Sequence, residues 1–396
     1  MSGAKRKSDE LSKDENKNGI LPRLKPAIET LDFILDEESN STPLNASSKW
    51  DVYIWNENDP THGVIWQVGI ENTTDSIIHA RVALRYHDML LFVLKKTIFE
   101  PNYLGHHEEG RPGMQISENV AKKYGDNKSK LKVQVDIQYL QDASWTPTVP
   151  SHPGLTHLFK SSETTDTIII VEGEEFKVHK CILEANCPIL YDMVKNQTKE
   201  AAILLPGVDK WTFNIILQFI YGINALELFR DPCEEFLDSN WFDRIYEPEW
   251  VEKVKSILCH ANKFGIVKLK LWAEALLAYD LMEVDNAAEL LMLADAHSCA
   301  LLKEEAVIFI DFQAKAVVKS DGWSKLKKSS QLLSELFEFI HGSSSQQVGS
   351  VTDGYEGMSV ISLLKKLDES NQELDGSREA LILRCEEVKL AKPAFA

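Results

Sequence analysis

The segment from Asp166 to Gly222 constrains the fold most. A β-branched run, Ile168, Ile169, Ile170 and Val171, meets Gly173, and a second short strand follows from Phe176 to Val178. Such a run broken by glycine forms a β-hairpin. A helix is expected to open near His179. Ile203-Leu204-Leu205 supplies another short strand, and Asp209 is placed to cap a helix bearing Phe213, Ile216, Leu217 and Ile220 along one face.

Composition narrows what surrounds this unit. A chain of 396 residues can form several compact units with a substantial buried core. Its 44% hydrophobic and 26% charged residues are those of an ordinary soluble protein. A net charge of −18 argues against broad, sequence-independent binding to nucleic acid or anionic membranes. The cysteines at 181, 187, 233, 259, 299 and 385 form no CxxC pair and no Cys/His cluster with zinc spacing. Cys259-His260 and His297-Ser-Cys299 are near misses, and lone Cys and His on helices usually just pack. Free thiols suit a reducing, intracellular compartment, in nucleus or cytoplasm. No apolar run reaches the roughly 18 residues of a membrane helix, and the charged N-terminus lacks a secretory core.

The central segment strongly resembles a BTB/POZ domain. Asp166, His179, Lys180, Leu183, Pro188, Met193, Phe219, Tyr221 and Gly222 sit where that pattern expects them. Asn286-Ala-Ala-Glu-Leu-Leu-Met-Leu-Ala-Asp-Ala-His297, with Gly322-Trp323 downstream, resembles the helical extension of speckle-type POZ proteins. There Ala287, Leu290, Leu291 and Ala294 repeat at helical spacing, and Leu302, Ala306, Phe309 and Ile310 make the next stripe. The resemblance implies a binding module that dimerises through a self-complementary interface. It places Asp166, His179, Lys180 and Leu183 at the core and dimer pocket, where the opposite charges of Asp166 and Lys180 could pair in a structural role or meet a partner.

Residues 48–142 are β-rich. Trp50–Trp55, Val64–Val68, Ile77–Leu84, Leu90–Leu94 and Leu131–Tyr139 are the candidate strands, with Ile28–Ile34 a further short turn or strand. The last alternates Leu131, Val133, Val135, Ile137 and Tyr139 with Lys132, Gln134, Asp136 and Gln138, the pattern of a half-buried antiparallel strand. A β-sandwich before a BTB unit resembles the MATH–BTB proteins, although the stretch around Gly110 to Val120 lacks the aromatic of their binding groove. MATH ancestry and an unrelated sandwich both remain open, and no groove residue is assigned.

Near the C-terminus, Ser359 can cap a helix bearing Val360, Leu363, Leu364 and Leu367. Asp375-Gly376 turns the chain, and Ser377 can cap a second helix with Leu381, Cys385 and Val388. This pair resembles a SAP motif, which implies possible DNA contacts through Lys365, Lys366, Arg378 and Arg384. Acids outnumber bases over 355–390, so no positive face for phosphate is evident.

The expected architecture is α+β and multidomain. A tail over 1–45 precedes a β-sandwich-like, MATH-like domain over 46–145 and a linker over 146–160. An α/β BTB domain follows over 161–275, then an all-helical extension over 276–341, a linker over 342–354 and a small helical SAP-like domain over 355–390. Lys5-Arg6-Lys7 in the tail is either a solvated basic cluster or a nuclear import signal. The acidic insertion over 223–252 carries Phe229, Phe236, Trp241, Phe242, Tyr246 and Trp250. It either packs these rings on the domain or presents an acidic-aromatic surface to a basic partner.

No Walker loop, strand-borne GxGxxG, HExxH or GxSxG occurs. His179 lies near Cys181, yet no third group orients a His/Cys nucleophile. The chain is therefore expected to be no enzyme and to need no cofactor or metal. By resemblance its role is that of a dimeric substrate adaptor for a cullin-3 type ubiquitin ligase, with an unknown protein substrate. Tyr191, Met193, Thr198 and Glu200 are the cullin-facing candidates. Such adaptors present a hydrophobic-x-Glu motif, whereas this chain has Thr198-Lys199-Glu200 in a shorter loop. Burying an unpaired threonine hydroxyl costs roughly 1–3 kcal/mol. The rival reading is a non-enzymatic, chromatin-associated scaffold whose dimer clusters SAP-like tails.

Overall fold

The computed structural model describes residues 26, 28–35, 44–45, 49–59, 63–74, 78–86, 89–99, 114–117, 131–139, 145–148, 153–161, 164–198, 201–223, 248–341 and 354–391. Among the described residues, eight strands form two antiparallel sheets in the N-terminal third. One sheet runs β1 (Ile28–Leu35), β8 (Leu131–Tyr139), β5 (Ile78–Tyr86), β6 (Met89–Phe99) in spatial order. The other runs β2 (Leu44–Asn45), β3 (Trp50–Asp59), β4 (Gly63–Asn72), β7 (Met114–Ser117). The five expected strands are all present. β1 is a strand rather than a turn, pairs along its whole length with β8, and so starts the sheet inside the segment read as a tail. Trp50 is fully buried, and its indole N–H donates to the Tyr139 hydroxyl at 2.7 Å.

The half-buried reading of β8 needs correction. Val135 and Ile137 are fully buried as expected, but Asp136 and Gln138 on the opposite face are buried too. The alternation is sound, and a second layer covers the polar face.

The segment read as a linker holds a helix, α1 (Pro153–Ser161). Proline at a helix start loses nothing, because that N–H has no partner inside the helix anyway. A three-stranded sheet follows, in the order β10 (Glu174–Val178), β9 (Thr167–Val171), β11 (Ala202–Leu204). β9 and β10 form the expected hairpin. Its turn residues Glu172 (φ 49°) and Gly173 (φ 83°) are both left-handed, which suits the twist of a two-residue hairpin. α2 (Lys180–Asn186), α3 (Pro188–Val194) and α4 (Lys210–Ile220) pack against this sheet. Asp209 caps α4 as expected, its carboxylate accepting the Thr212 N–H at 2.8 Å.

α5 (Pro248–Lys263) begins inside the segment read as the acidic insertion. Residues 248–252 therefore belong to a helix rather than to the acidic insertion, and Trp250 packs edge-on against Trp211 at 5.8 Å. The rest of that insertion, 224–247, lies outside the described residues. Then come α6 (Val267–Tyr279), α7 (Ala287–Ala296), α8 (Ala300–Phe312), α9 (Ala314–Val317), α10 (Asp321–Leu326) and α11 (Ser330–His341). A 3-10 turn (Tyr355–Gly357) leads into α12 (Val360–Glu369) and α13 (Arg378–Ala391).

The C-terminal pair is no separate domain. Val360, Ile361, Leu363, Leu364, Leu367, Leu381 and Cys385 belong to the same continuous core as α4 to α8. Both expected caps form: Ser359 Oγ accepts the Ser362 N–H at 3.1 Å, and Ser377 Oγ accepts the Ala380 N–H at 3.4 Å. No described helix is long and apolar enough to cross a membrane.

Candidate functional site

Three neighbourhoods hold the residues singled out from the sequence. In the first, the turn into α2 is fixed by polar contacts. The Asp166 carboxylate accepts the backbone N–H of Lys180 at 2.8 Å. The Lys180 ammonium donates instead to the Gln197 carbonyl at 2.5 Å. Each of the two charged groups thus bonds the backbone, not the other. The carboxylate completes the first turn of α2, where unbonded N–H groups favour an anion.

His179 is buried beside them, with Leu183 fully buried one turn on. Its backbone N–H donates to the Tyr221 hydroxyl at 2.9 Å, and its Nδ1 lies 2.8 Å from the same oxygen. The backbone donor leaves the hydroxyl hydrogen to point at Nδ1, which puts the ring proton on Nε2, 3.3 Å from Thr164 Oγ1. Burial holds the Tyr221 hydroxyl up at about 12, so it stays protonated at neutral pH. Phe159 of α1 packs on the Tyr221 ring at 5.2 Å. The sequence marked His179 and Tyr221 separately; their contact comes from the fold.

The second neighbourhood is the outer face of α3. Leu190 and Val194 point into the core, and Tyr191 is half-buried against it. Ile189 and Met193, one turn apart, are 41% and 42% exposed. Ile189 rests beside Gly265 in the α5–α6 turn, where φ is +68°; a Cβ there would meet Ile189 Cδ1 at 3.3 Å. The result is an apolar ridge over a glycine turn. Thr198 is exposed, while Lys199 and Glu200 lie outside the described residues. Ile189 was absent from the sequence candidates, although its four-residue spacing to Met193 was visible.

α8 lies at the centre of the third neighbourhood and holds a flanking module through each of two adjacent acids. Glu305 pairs with Arg81 of β5 at 3.1 Å, both nearly fully buried. Arg81 also reaches Gln138 at 3.0 Å and lies over the Phe309 ring at 5.3 Å. Arg85 bonds Asp136 at 2.7 Å, the Phe312 carbonyl at 3.1 Å and Gln313 at 2.6 Å. This contact is what covers the polar face of β8.

Glu304 turns to the C-terminal pair and accepts the Val360 N–H, at the start of α12, at 2.7 Å. Lys270 of α6, 1% exposed, donates to Asp375 at 2.6 Å and to the His297 carbonyl at 2.8 Å. Nearby Glu274 is fully buried, and desolvation pushes its carboxyl up to about 7 despite the Lys270 charge.

These contacts change the standing of the phosphate-contact candidates. Arg378 is 6% exposed, with its guanidinium on the carbonyls of Glu356 (2.8 Å) and Met358 (2.5 Å) and 4.0 Å from Glu304. Arg384 bonds the carbonyls of Glu373 and Asp375 and pairs with the Glu373 carboxylate at 3.5 Å. Both arginines hold the α12–α13 turn instead of facing solvent. Of the four candidates only Lys366 is exposed, with Lys365 half-buried.

The fold sets a cysteine and a histidine from the two near-miss motifs side by side. Cys259 Sγ lies 3.4 Å from His297 Nε2, and Asn262 lies 3.3 Å from His297 Nδ1. Burial raises the Cys259 thiol and lowers His297, so the pair is neutral near pH 7. Among the described residues no group of three or more His, Cys, Asp or Glu could hold a metal ion.

Comparison with known proteins accords with this geometry. Residues 155–278 match the BTB/POZ domain model, and residues 286–337 match the BPM/SPOP, BACK domain model. The chain thus carries a BTB/POZ domain that begins within α1, followed by a BACK domain of the BPM/SPOP type. It is 30% identical over 192 residues to TD and POZ domain-containing protein 1 of Mus musculus, covering 47% of this chain and 46% of that protein. Similarity to TD and POZ domain-containing protein 3 of Mus musculus is 32% over 192 residues, with the same coverage. The chain spans about half the length of the curated relatives it matches. A solved BTB (Tramtrack and Bric a brac) domain, that of human Gigaxonin, aligns with 33% of this chain and 96% of that one, at 18% identity and a TM-score of 0.22.

Proposed function

We propose that this chain, with its BTB/POZ and BACK domains, is a non-enzymatic adaptor that self-associates through the BTB domain and docks a cullin-3 type scaffold. The observation that carries the docking step is the apolar ridge of Ile189 and Met193 beside Gly265. Neighbouring exposed apolar side chains on one helical turn give a partner something to desolvate, at about 25 cal/mol per Å² buried. Exposed Thr198 adds little to that ridge, so the docking energy rests on Ile189 and Met193. Self-association brings two such surfaces into one assembly and turns modest contacts into effective ones. The N-terminal sheets, fixed to α8 through Arg81 and Arg85, are the part left to carry a protein substrate.

The chromatin-scaffold reading draws less support, because Arg378 and Arg384 are engaged internally. Capture of the full chain by immobilised cullin-3 tests the proposal. Ile189→Glu with Met193→Glu is expected to abolish capture while light scattering still reports a dimer. Undiminished capture by that variant, or no capture by the wild type, overturns it.

A further inference from the structure

We infer that the outer face of α13 is a docking surface for a basic amphipathic helix of a partner protein. α13 carries apolar residues on two opposite sides. Leu381, Ile382 and Cys385 are buried against the body of the protein, which is the side a surface helix is expected to bury. On the other side Leu383 and Leu390 are 59% and 84% exposed, among the most exposed large apolar side chains described. They are seven residues apart, so they stand in line along the helix, about 10 Å from each other.

Glu386 and Glu387 lie between them, at the positions three and four residues after Leu383, and both are exposed. Lys389, also exposed, stands about 100° round the helix from Leu390, so the face is two leucines in line with carboxylates as their nearest charges. That is the arrangement by which paired helices select partners: leucine knobs supply the contact, and flanking charges choose what may approach. Its complement is a helix with apolar residues at the same spacing and Lys or Arg on the flanks, laid along α13 as a helix lies in a groove. The surface is held rigidly, since Arg384 and Arg378 fix the turn and the helix start behind it. The overall charge of −18 draws a basic segment in and repels nucleic acid phosphate. This site is separate from the Ile189–Met193 ridge and does not depend on cullin docking.

Fluorescence anisotropy of two synthetic helical peptides with the full chain tests the inference. They share a leucine seam of seven-residue spacing and differ only in flanking Lys or flanking Glu. The Lys-flanked peptide is expected to bind at least about tenfold more tightly, with affinity falling as salt rises. Leu383→Ser with Leu390→Ser should abolish binding, and Glu386→Lys with Glu387→Lys should invert the preference. Both pairs are solvent-facing, so circular dichroism melting should be unchanged. Equal binding of the two peptides, no binding of either, or binding unaffected by these variants would overturn the inference. So would a wild-type oligomer that Leu383→Ser with Leu390→Ser disperses, since a second copy would then be the occupant.

Discussion

At the scale of single residues, buried polar groups set the strongest expectations. Tyr221 serves His179 twice, through backbone and ring. Tyr221→Phe keeps the ring packing on Phe159 but removes both contacts, and should cost about 1–3 kcal/mol in urea unfolding. Glu274 gives a pH signature. Its folded carboxyl sits near 7, above the ordinary carboxylate range of an unfolded chain. Between those values the native state holds a proton that the unfolded state has released, so stability falls as pH rises from about 4.5 to about 7 and then levels. The span is on the order of 3 kcal/mol. Glu274→Gln should flatten that slope, and a wild-type-like slope in the variant would refute the assignment. Lys270 supplies a third case. Asp375→Ala removes a partner from a buried ammonium, a loss of about 3–5 kcal/mol when both groups are inside. Asp375 is one-third exposed, so the lower end is expected, read as faster amide exchange across α12 and α13.

Among the elements, α8 is held from two sides by neighbouring acids. Residues 304 and 305 of a helix point about 100° apart, so one carboxylate meets the C-terminal pair and the other meets β5. Glu305→Ala leaves Arg81 buried beside Phe309 with Gln138, at a cost of about 3–5 kcal/mol. Replacing both partners, Arg81→Met with Glu305→Met, should restore most of that loss, because two apolar chains of similar volume need no counter-charge. A double variant as unstable as the single one would mean that Arg81 acts through its other contacts. The elements best legible beforehand are local ones: the Gly173 hairpin, the Asp209, Ser359 and Ser377 caps, and the stripe of Ala287, Leu290, Leu291 and Ala294. Each depends on residues within a turn or two of each other. α1 was missed because Pro153 and Gly154 suggest a break, while proline at a helix start favours the helix.

For the whole molecule, polar contacts join the N-terminal sheets to the helical body, whose apolar core does not include them. The Trp272 indole bonds the Pro147 carbonyl at 3.1 Å, and Lys268 bonds that of Thr148 at 2.9 Å, so the connecting segment is pinned along α6. With Arg81 and Arg85 also buried at α8, the N-terminal sheets and the helical body should unfold in one calorimetric transition. Two resolved transitions would show that the sheets are only tethered. The candidate surfaces were legible unevenly for the same reason. Met193 stood out beforehand from its place in a motif, whereas Ile189 gained meaning only once Gly265 lay beneath it.

Five of the N-terminal strands, the hairpin at Gly173, the helix caps and the BTB and BACK segments were written in the amino-acid order, because each depends on near neighbours or on recurrent motifs. Which polar residues face water was not. Asp136, Gln138 and Arg378 carry the chemistry of surface groups, yet partners far along the chain bury or engage them. Hydrophobic periodicity records which side of an element is apolar, and only the packed structure decides what covers the other side.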